Sequence, residues 1–593
     1  MTYRPPVDEM LFTLRHVSGL DRSIAEGVYP EIDLDLTQSV LEEAGKFAAS
    51  VIAPLNKVGD RAGTPFRDGK VTMPPGWKEA YTAWAEAGWN ALPATADYGG
   101  QGLPALLNAP CLEMWNAANM AFALGPLLTC GAIEALTAHG SQELKDRYLA
   151  KLVSGEWMGT MNLTEPSAGS DLNAVRSRAE RAGDGSYRIF GQKIYITYGE
   201  HDLTDNICHL VLARLPDAPA GTRGISLFLV PKILPDGALN DVRCNGVEHK
   251  LGIHASPTCT MVYGDAGGAV GWLIGEENRG LACMFTMMNN ARLGVGIQGV
   301  AIADRAYQQA LHYANERRQG RAPGDAGEGM SPIALHPDVR RNLMTMLALT
   351  NASRAICYLT AAELDLAHHL ADPAARKAAS EMGALLTPVA KAFSTDIGVE
   401  VASIGVQVHG GMGFVEETGA AQHLRDARIL TIYEGTNGIQ AIDLVQRKLP
   451  LSGGAAVRAA IARIRKVQGR LAASRNPAFG QAAARLRDGV EALDRATSWM
   501  QAAMAGNRPE DALAGATPYL RLFGLAQGAA GLAEIALAAE AAAAAGDTSP
   551  AHAGRIALAR FFAENLLTAA PGLEATVTAG AASVHDAPLA LAS

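Results

Sequence analysis

The chain has 593 residues, of which 48% are hydrophobic, and a formal net charge of −9. This length exceeds what one hydrophobic core supports, so we expect about two to four domains, and the acidic balance argues against nonspecific nucleic-acid binding. The seven cysteines are odd in number and form no CxxC pair, which argues against a disulfide framework and a zinc site.

The predicted elements fall into four segments along the chain. Apolar residues at helical spacing predict a helical domain over 1–159, and short alternating runs between Gly and Asp turns predict a β domain over 160–280. Helical spacing returns over 281–450 and again over the Ala-rich segment 451–593. The order predicts an α+β fold with a β domain between helical domains. No apolar run approaches about 18 uncharged residues and no signal pattern opens the chain, so we expect a cytoplasmic protein without a membrane span.

A GxGxxG string at Gly294 to Gly299 invites a dinucleotide-binding interpretation. That interpretation needs a preceding strand, whereas the residues before Gly294 have helical spacing. We therefore predict that these glycines lie on a helix and allow a second helix to approach closely.

Three further strings carry candidate chemistry. Residues 163–171 (LTEPSAGSD) and 407–414 (QVHGGMGF) are Gly-rich loops, and each fits either a ligand-binding loop or an ordinary turn. We expect His409 to be a structural hydrogen-bonding residue. In the third string, an apolar run ends at Glu434 directly before a glycine, where apolar surroundings would raise the pKa of the carboxyl toward that of a general base. The alternative is a surface glutamate at a turn.

Together these strings resemble the acyl-CoA dehydrogenase superfamily over residues 30–450. Seven motifs occur in the family's order, namely YGGQG, LTEPSAGSD, GQKIYIT, KLGIHASPT, ERRQG, QVHGGMGF and IYEGTNGIQ. The long C-terminal segment resembles the subgroup with an extra helical domain, which includes 3-methylmercaptopropionyl-CoA dehydrogenases. The resemblance implies a helical N-terminal domain, a middle β-barrel domain, a C-terminal four-helix bundle and an extra helical domain.

The resemblance also implies an FAD site and an acyl-CoA site. The implied FAD contacts are Met161, Leu163, Thr164, Gly169, Ser170, Tyr195, Ile196, Thr197, Arg317, Gln319, Gln407, Gly410, Gly411, Thr436 and Asn437. The implied substrate contacts are Ser170, Asn289, Arg292, Tyr433 and Gly435. Three positions depart from the common pattern: Tyr195 stands where many members have Trp, Gly320 where many have Phe, and Asn289 where many have Asp.

The chemistry implied by the resemblance is α,β-dehydrogenation of an acyl-CoA to the trans-2-enoyl-CoA. Glu434 would remove the α-proton, FAD would accept the β-hydride, and an electron-transfer flavoprotein would accept the electrons. Members carry the base at one of two positions, and the other position is Ala291 here. Members without the C-terminal extension are commonly tetramers, and we expect a homodimer here because the extension would take the place of the second dimer. An acyl-CoA oxidase and a non-catalytic, nucleic-acid-associated relative are the alternatives, and the second would need a basic face.

Three expectations concern packing. The bulky side chains of Met114, Trp115, Met120 and Phe122 suggest a pocket for a short acyl group, although they fit ordinary core residues equally well. Ile432 and Tyr433 are expected to shield Glu434 from water. The apolar stripe of Val457, Ile461, Ile464 and Leu471 is expected to pack on its own subunit, and the basic residues between them to form the solvated side of a helix. The alternative is that this basic, amphipathic stretch binds a membrane.

Overall fold

The computed structural model describes residues 3–585, without the side chains of Met287 and Asn289. The N-terminal region is helical, as predicted, with one short hairpin. Its elements are α1 (Val7–His16), α2 (Leu20–Ala25), α3 (Leu34–Phe47), α4 (Asn56–Ala62), β1 (Phe66–Arg67), β2 (Lys70–Val71), α5 (Trp77–Glu86), α6 (Ala105–His139) and α7 (Gln142–Val153).

The middle region is a single sheet of eight strands that curls onto itself. Its strands are β3 (Trp157–Asn162), β4 (Arg178–Arg181), β5 (Tyr187–Thr197), β6 (Asn206–Arg214), β7 (Ile225–Pro231), β8 (Val242–Val247), β9 (Thr258–Tyr263) and β10 (Ala269–Ile274). The strand order is β10-β7-β6-β4-β5-β9-β8, with β3 parallel to β6. Because β10 also pairs with β5, the sheet closes in the manner of a barrel.

Long helices follow the sheet, and a second helical region follows them. The first set comprises α8 (Gly280–Glu316), α9 (Pro337–His369), α10 (Pro373–His409), α11 (Ala420–Ala427) and α12 (Asn437–Asp443). The second comprises α13 (Ala455–Ala473), α14 (Ala482–Ala505), α15 (Pro509–Ala514), α16 (Ala516–Ala544), α17 (Ala551–Asn565), α18 (Ala570–Thr578) and α19 (Ala582–His585). The predicted α+β architecture is confirmed.

The GxGxxG glycines lie within α8, where Gly296 and Gly299 face α10 and Gly294 faces Leu127 of α6. A Cβ on Gly296 would lie 2.7 Å from the Ala390 carbonyl oxygen, and one on Gly299 would lie 2.3 Å from that of Ser394. Both distances are shorter than any normal carbon–oxygen contact, so only glycine permits this approach of the two helices. The prediction of a helix with close packing is confirmed.

The apolar stripe on α13 is buried within the chain. Val457, Ile461, Ile464 and Leu471 are each at most 3% exposed. The basic residues on the other side of α13 form exposed ion pairs, including Arg465 with Glu491 and Asp494 and Arg470 with Glu534. The expected solvated helix side is therefore present, and this stretch does not form a uniformly basic face.

Two helices correct the expectation that no apolar run could span a membrane. By length and composition α6 and α16 both could, but 78% and 83% of their most apolar windows are buried inside the fold. They are apolar all round because other helices surround them, which is how the central helix of a large core is built.

Candidate active site

A buried ion pair fixes the LTEPSAGSD loop that follows β3. The Lys193 ammonium donates to Glu165 Oε1 at 2.7 Å and to the Leu163 carbonyl at 3.1 Å. Backbone N–H groups of Arg176 and Ser177 donate to the same carboxylate at 2.7 and 3.0 Å. Burial lowers the pKa of Lys193 to about 8, against the opposing effect of Glu165. Sequence reasoning missed this pair, which determines the shape of the loop.

Tyr195 interrupts the strand beside this loop. The register of β5 against β9 shifts between Lys193 and Ile196, and Tyr195 adopts a φ of 59°. Its ring is 60% exposed. A bulge re-aims side chains at the edge of a sheet, and non-glycine residues with positive φ are concentrated at functional sites. Tyr195 thus presents an aromatic surface beside the loop.

Glu434 occupies a tight turn that ends where α12 begins at Asn437. Its φ is 55°, and that of Gly435 is 86°. The Gln440 side-chain amide donates to the carbonyl oxygens of both residues, at 3.2 and 3.3 Å. A non-glycine residue in the left-handed backbone conformation costs on the order of 1 kcal/mol. The two hydrogen bonds from Gln440 offset this cost and stabilise the turn. The carboxyl group of Glu434 takes no part in holding the turn.

The electrostatic surroundings of Glu434 act in opposite directions. Burial of the carboxyl raises its pKa, whereas the nearby charges of Arg292 and Lys391 lower it, and the net shift is upward. The Arg292 side chain is 12% exposed, and its Nη1 lies 3.9 Å from Asp443 Oδ2. Arg292 Nε is buried without a hydrogen-bond partner among the described residues. A carboxylate with a raised pKa in half-buried surroundings is suited to general-base catalysis.

Lys391 is a second residue that sequence reasoning missed. It lies on α10 with no exposed surface, and its ammonium donates to Asn437 Oδ1 at 2.9 Å. Asn437 Nδ2 in turn donates to Asp396 Oδ1 at 2.7 Å. Burial lowers the pKa of Lys391 to about 8, while Glu434 and Asp396 act to raise it. Asn437 and the adjacent Thr436, whose hydroxyl caps α12, are thereby fixed beside Glu434.

The two residues before Glu434 behave differently from each other. The Tyr433 hydroxyl donates to Gln298 Oε1, and Gln298 Nε2 donates to Asn116 Oδ1 at 3.0 Å. Tyr433 therefore ties the turn to α8 and α6. Ile432 is 49% exposed. About half of the Ile432 surface is open to solvent, so its shielding of the carboxyl stays a prediction.

A cavity that is partly open to solvent lies between α6, α8 and the end of β3. Its lining includes Leu112, Leu127 and Leu128 from α6, Ala291 from α8, and Met161. Ala291 directly precedes Arg292 in the chain. The cavity therefore lies beside both the predicted flavin-side residue Met161 and Ala291, the alternative family position for the base.

The expected pocket residues Met114, Trp115, Met120 and Phe122 do not line this cavity. They are core residues instead, at most 2% exposed. They lie on other sides of α6 than the lining residues Leu112 and Cys130, which are about five helical turns apart. The helix is kinked between those two residues at Asn119, with φ −163° and ψ 95°.

Another set of predicted contacts lies on the outer surface of the chain. Arg317, Gln319, Gln407, Gly410 and Gly411 are all exposed. The two segments meet where the Tyr313 ring stacks on His409 with centroids 4.6 Å apart. His409 Nδ1 also bonds the Gly405 carbonyl at 2.7 Å, so the prediction of a structural histidine is confirmed.

The remaining predicted contact residues lie in the LTEPSAGSD loop and at the end of β5. Gly169 and Ser170 are exposed at the end of the LTEPSAGSD loop, and Ile196 and Thr197 close β5 against β9. The side chain of Asn289 lies outside the described residues.

All seven cysteines are free thiols. Within the described part of the chain, no cluster of three or more His, Cys, Asp or Glu side chains could hold a metal ion.

The residues present are compatible with a flavin dinucleotide. A Cβ on Gly169, Gly410 or Gly411 would meet nothing within 4 Å, so open space faces both Gly-rich loops. Tyr195 offers an exposed aromatic ring for stacking. Both loops thus leave room for ligand atoms to approach the backbone, as dinucleotide binding requires.

Comparisons with known proteins agree with this architecture. Family profiles match residues 35–156 (acyl-CoA dehydrogenase, N-terminal domain), 160–266 (middle domain), 278–449 (C-terminal domain) and 455–588 (acetyl-CoA dehydrogenase C-terminal like). The chain is 48% identical to 3-methylmercaptopropionyl-CoA dehydrogenase of Ruegeria pomeroyi, over 96% of each chain.

Two solved structures share the fold over nearly the whole chain. One is Caenorhabditis elegans ACDH-11 in complex with C11-CoA, with a TM-score of 0.77, 21% identity, and coverage of 95% of this chain and 92% of that one. The other is an acyl-CoA dehydrogenase from Bacillus anthracis complexed with FAD, with a TM-score of 0.73, 20% identity, and coverage of 93% and 89%.

The four family profiles and the 48% identity to an acyl-CoA dehydrogenase over 96% of the chain define a flavin-dependent oxidoreductase that acts on acyl-CoA thioesters. The chain belongs to the acyl-CoA dehydrogenase family, and its cofactor is FAD.

Proposed function

We propose that Glu434 is the general base that removes the α-proton of the acyl-CoA. The carrying observation is the half-buried Glu434 carboxyl, whose pKa is raised by burial and lowered by Arg292 and Lys391. The second family position for the base is Ala291, which cannot accept a proton. Replacement of Glu434 tests the assignment.

In the proposed reaction, Glu434 takes the α-proton and the adjacent carbon loses a hydride, which leaves a trans-2-enoyl-CoA. When bound, FAD supplies the acceptor for that hydride. By the family pattern, the backbone N–H of Glu434 polarises the thioester carbonyl, which stabilises the developing enolate. Arg292 and Lys391 oppose the effect of burial and favour the ionised form of Glu434, which is the form that accepts the proton.

We propose a short acyl chain as substrate, with 3-methylmercaptopropionyl-CoA the leading candidate. The support is the 48% identity to the Ruegeria pomeroyi enzyme over 96% of both chains. Met161 in the cavity lining also suits a thioether, because sulfur is soft and polarisable. A dye-reduction screen across acyl-CoAs of increasing length tests this, and a preference for chains of about twelve carbons or more would refute it.

We propose an electron-transfer flavoprotein as electron acceptor. The second candidate is O₂, as in an acyl-CoA oxidase of the same fold. A peroxide assay during turnover distinguishes the two: stoichiometric hydrogen peroxide would identify an oxidase, and reduction of added electron-transfer flavoprotein without peroxide would identify a dehydrogenase.

We propose that the chain forms a homodimer and works in the cytoplasm. Next to the exposed FAD-contact segment, Phe414 is 89% exposed and Met412 50% exposed, and such bulky apolar groups favour burial against a partner. The free thiols of all seven cysteines fit a reducing compartment. Light scattering that gives a tetramer would contradict the dimer, and recovery of the protein in a membrane fraction would contradict the location.

A further inference from the structure

A carboxylic acid lines the cavity in addition to its apolar residues. Glu134 lies on α6 beyond the kink, one turn after Cys130, and both contribute to the cavity wall. The Asn290 side chain from α8 hydrogen-bonds the carboxyl. Its Oε2 is buried and has no hydrogen-bond partner among the described residues. A buried oxygen without a partner costs free energy unless a ligand satisfies it.

The protonation state of this carboxyl is set by burial. Burial raises the pKa of Glu134 to about 7, and the hydrogen bond from Asn290 only partly opposes this shift. The neighbouring Cys130 on the same helix is itself uncharged, because burial raises its pKa to about 12. Across residues 3–585, no cation contributes to the pKa of Glu134. The carboxyl is therefore partly neutral and partly charged near pH 7.

We propose that Glu134 determines substrate specificity, admitting an acyl chain only when protonated and favouring chains that carry a hydrogen-bond acceptor such as an ether or thioether. This inference rests on the proposed function. An alkyl chain that fills the cavity removes water from the carboxyl, which penalises the charged form and leaves the neutral form with an unused donor. A chain with an acceptor atom satisfies that donor.

The test uses three acyl-CoAs of equal length: 3-methylmercaptopropionyl-CoA, its oxygen analogue 3-methoxypropionyl-CoA, and its methylene analogue pentanoyl-CoA. Flavin reduction is measured from pH 6 to 8.5 in the wild type, Glu134→Gln and Glu134→Leu holoenzymes. For the wild type, kcat/KM should fall by up to about tenfold per pH unit above the pKa of Glu134. The heteroatom chains should exceed pentanoyl-CoA by about three- to tenfold below that pKa, as one neutral hydrogen bond allows.

The two variants separate the parts of the inference. Glu134→Gln keeps a donor but cannot ionise, so the alkaline fall should disappear and the heteroatom preference should persist. Glu134→Leu should lose both and favour pentanoyl-CoA. FAD content and melting temperature control for folding, and Glu134→Gln decides the matter if the leucine variant does not fold.

Specific outcomes would overturn the inference. An unchanged alkaline limb in Glu134→Gln would remove the protonation requirement. An equal effect on all three substrates would place Glu134 against the CoA arm instead of the acyl chain. Failure of the proposed function looks different, because then no acyl-CoA would reduce the flavin of the wild type.

Discussion

The substitution Glu434→Gln tests the proposed base most directly. Glutamine keeps the size of the side chain and removes its ability to accept the proton. The turn should be retained, because Gln440 holds it through the backbone carbonyls of residues 434 and 435 at 3.2 and 3.3 Å and not through the carboxyl. FAD and acyl-CoA binding should therefore survive.

The expected loss in flavin reduction is about a thousandfold, within the range for removal of a general base. At about 1.4 kcal/mol per factor of ten, this corresponds to about 4 kcal/mol of transition-state stabilisation. A loss of this size requires that no second base takes over. The other family position is Ala291, and Glu134 is held by Asn290 from α8.

Rapid mixing with acyl-CoA, followed by flavin absorbance, gives the reduction rate without the later electron transfer. Glu143→Gln is the matched control, since it makes the same exchange at an exposed carboxyl on α7, 2.9 Å from Arg147, and should reduce its flavin at the wild-type rate. A near wild-type rate in Glu434→Gln would show that the base lies elsewhere and that the central assignment is wrong.

Three further substitutions test the surroundings. Lys391→Met removes a cation that lowers the pKa of the catalytic carboxyl, so the acid limb of flavin reduction should move to higher pH. An unmoved limb would contradict the coupling. Lys193→Met leaves the buried charge of Glu165 without its ion-pair partner. The free energy of unfolding, measured by calorimetry, should fall by about 3–5 kcal/mol, and the FAD content should fall with it. The double variant that also carries Glu165→Gln should recover part of both losses. Gly299→Ala should cost about 1–3 kcal/mol through its clash with α10, whereas Gly469→Ala, whose Cβ meets nothing within 4 Å, should be neutral or slightly stabilising.

The sequence predicted the elements whose signals are local. The α, β, α order follows from hydrophobic period, and the helical spacing before Gly294 correctly argued against a dinucleotide-binding turn there. Glu434 was identified because a motif of adjacent residues surrounds it, and its raised pKa follows from burial. The upward direction of the pKa shift could be anticipated from the apolar residues before Glu434, but the opposing effect of Lys391 could not.

Contacts between distant segments could not be predicted. Lys193 meets Glu165 only because β5 lies beside the loop after β3, and Lys391 meets Asn437 only because α10 packs behind the turn. The cavity was misplaced because α6 is apolar on every side. Trp115 packs in the core and Leu112 lines the cavity, and apolar spacing alone does not distinguish these two environments.

The two carboxyls of the site have opposite requirements, which gives kcat/KM a bell-shaped pH dependence. Glu434 must be ionised to take the proton, so the rate falls as the pH drops through its raised pKa. Glu134 must be protonated to admit the chain, so the rate falls as the pH rises through a pKa of about 7. Each limb can be moved alone: Lys391→Met should shift the acid limb, and Glu134→Gln should abolish the alkaline one. If a single substitution moves both limbs together, the two groups titrate as a coupled pair, and separate roles for them would have to be abandoned.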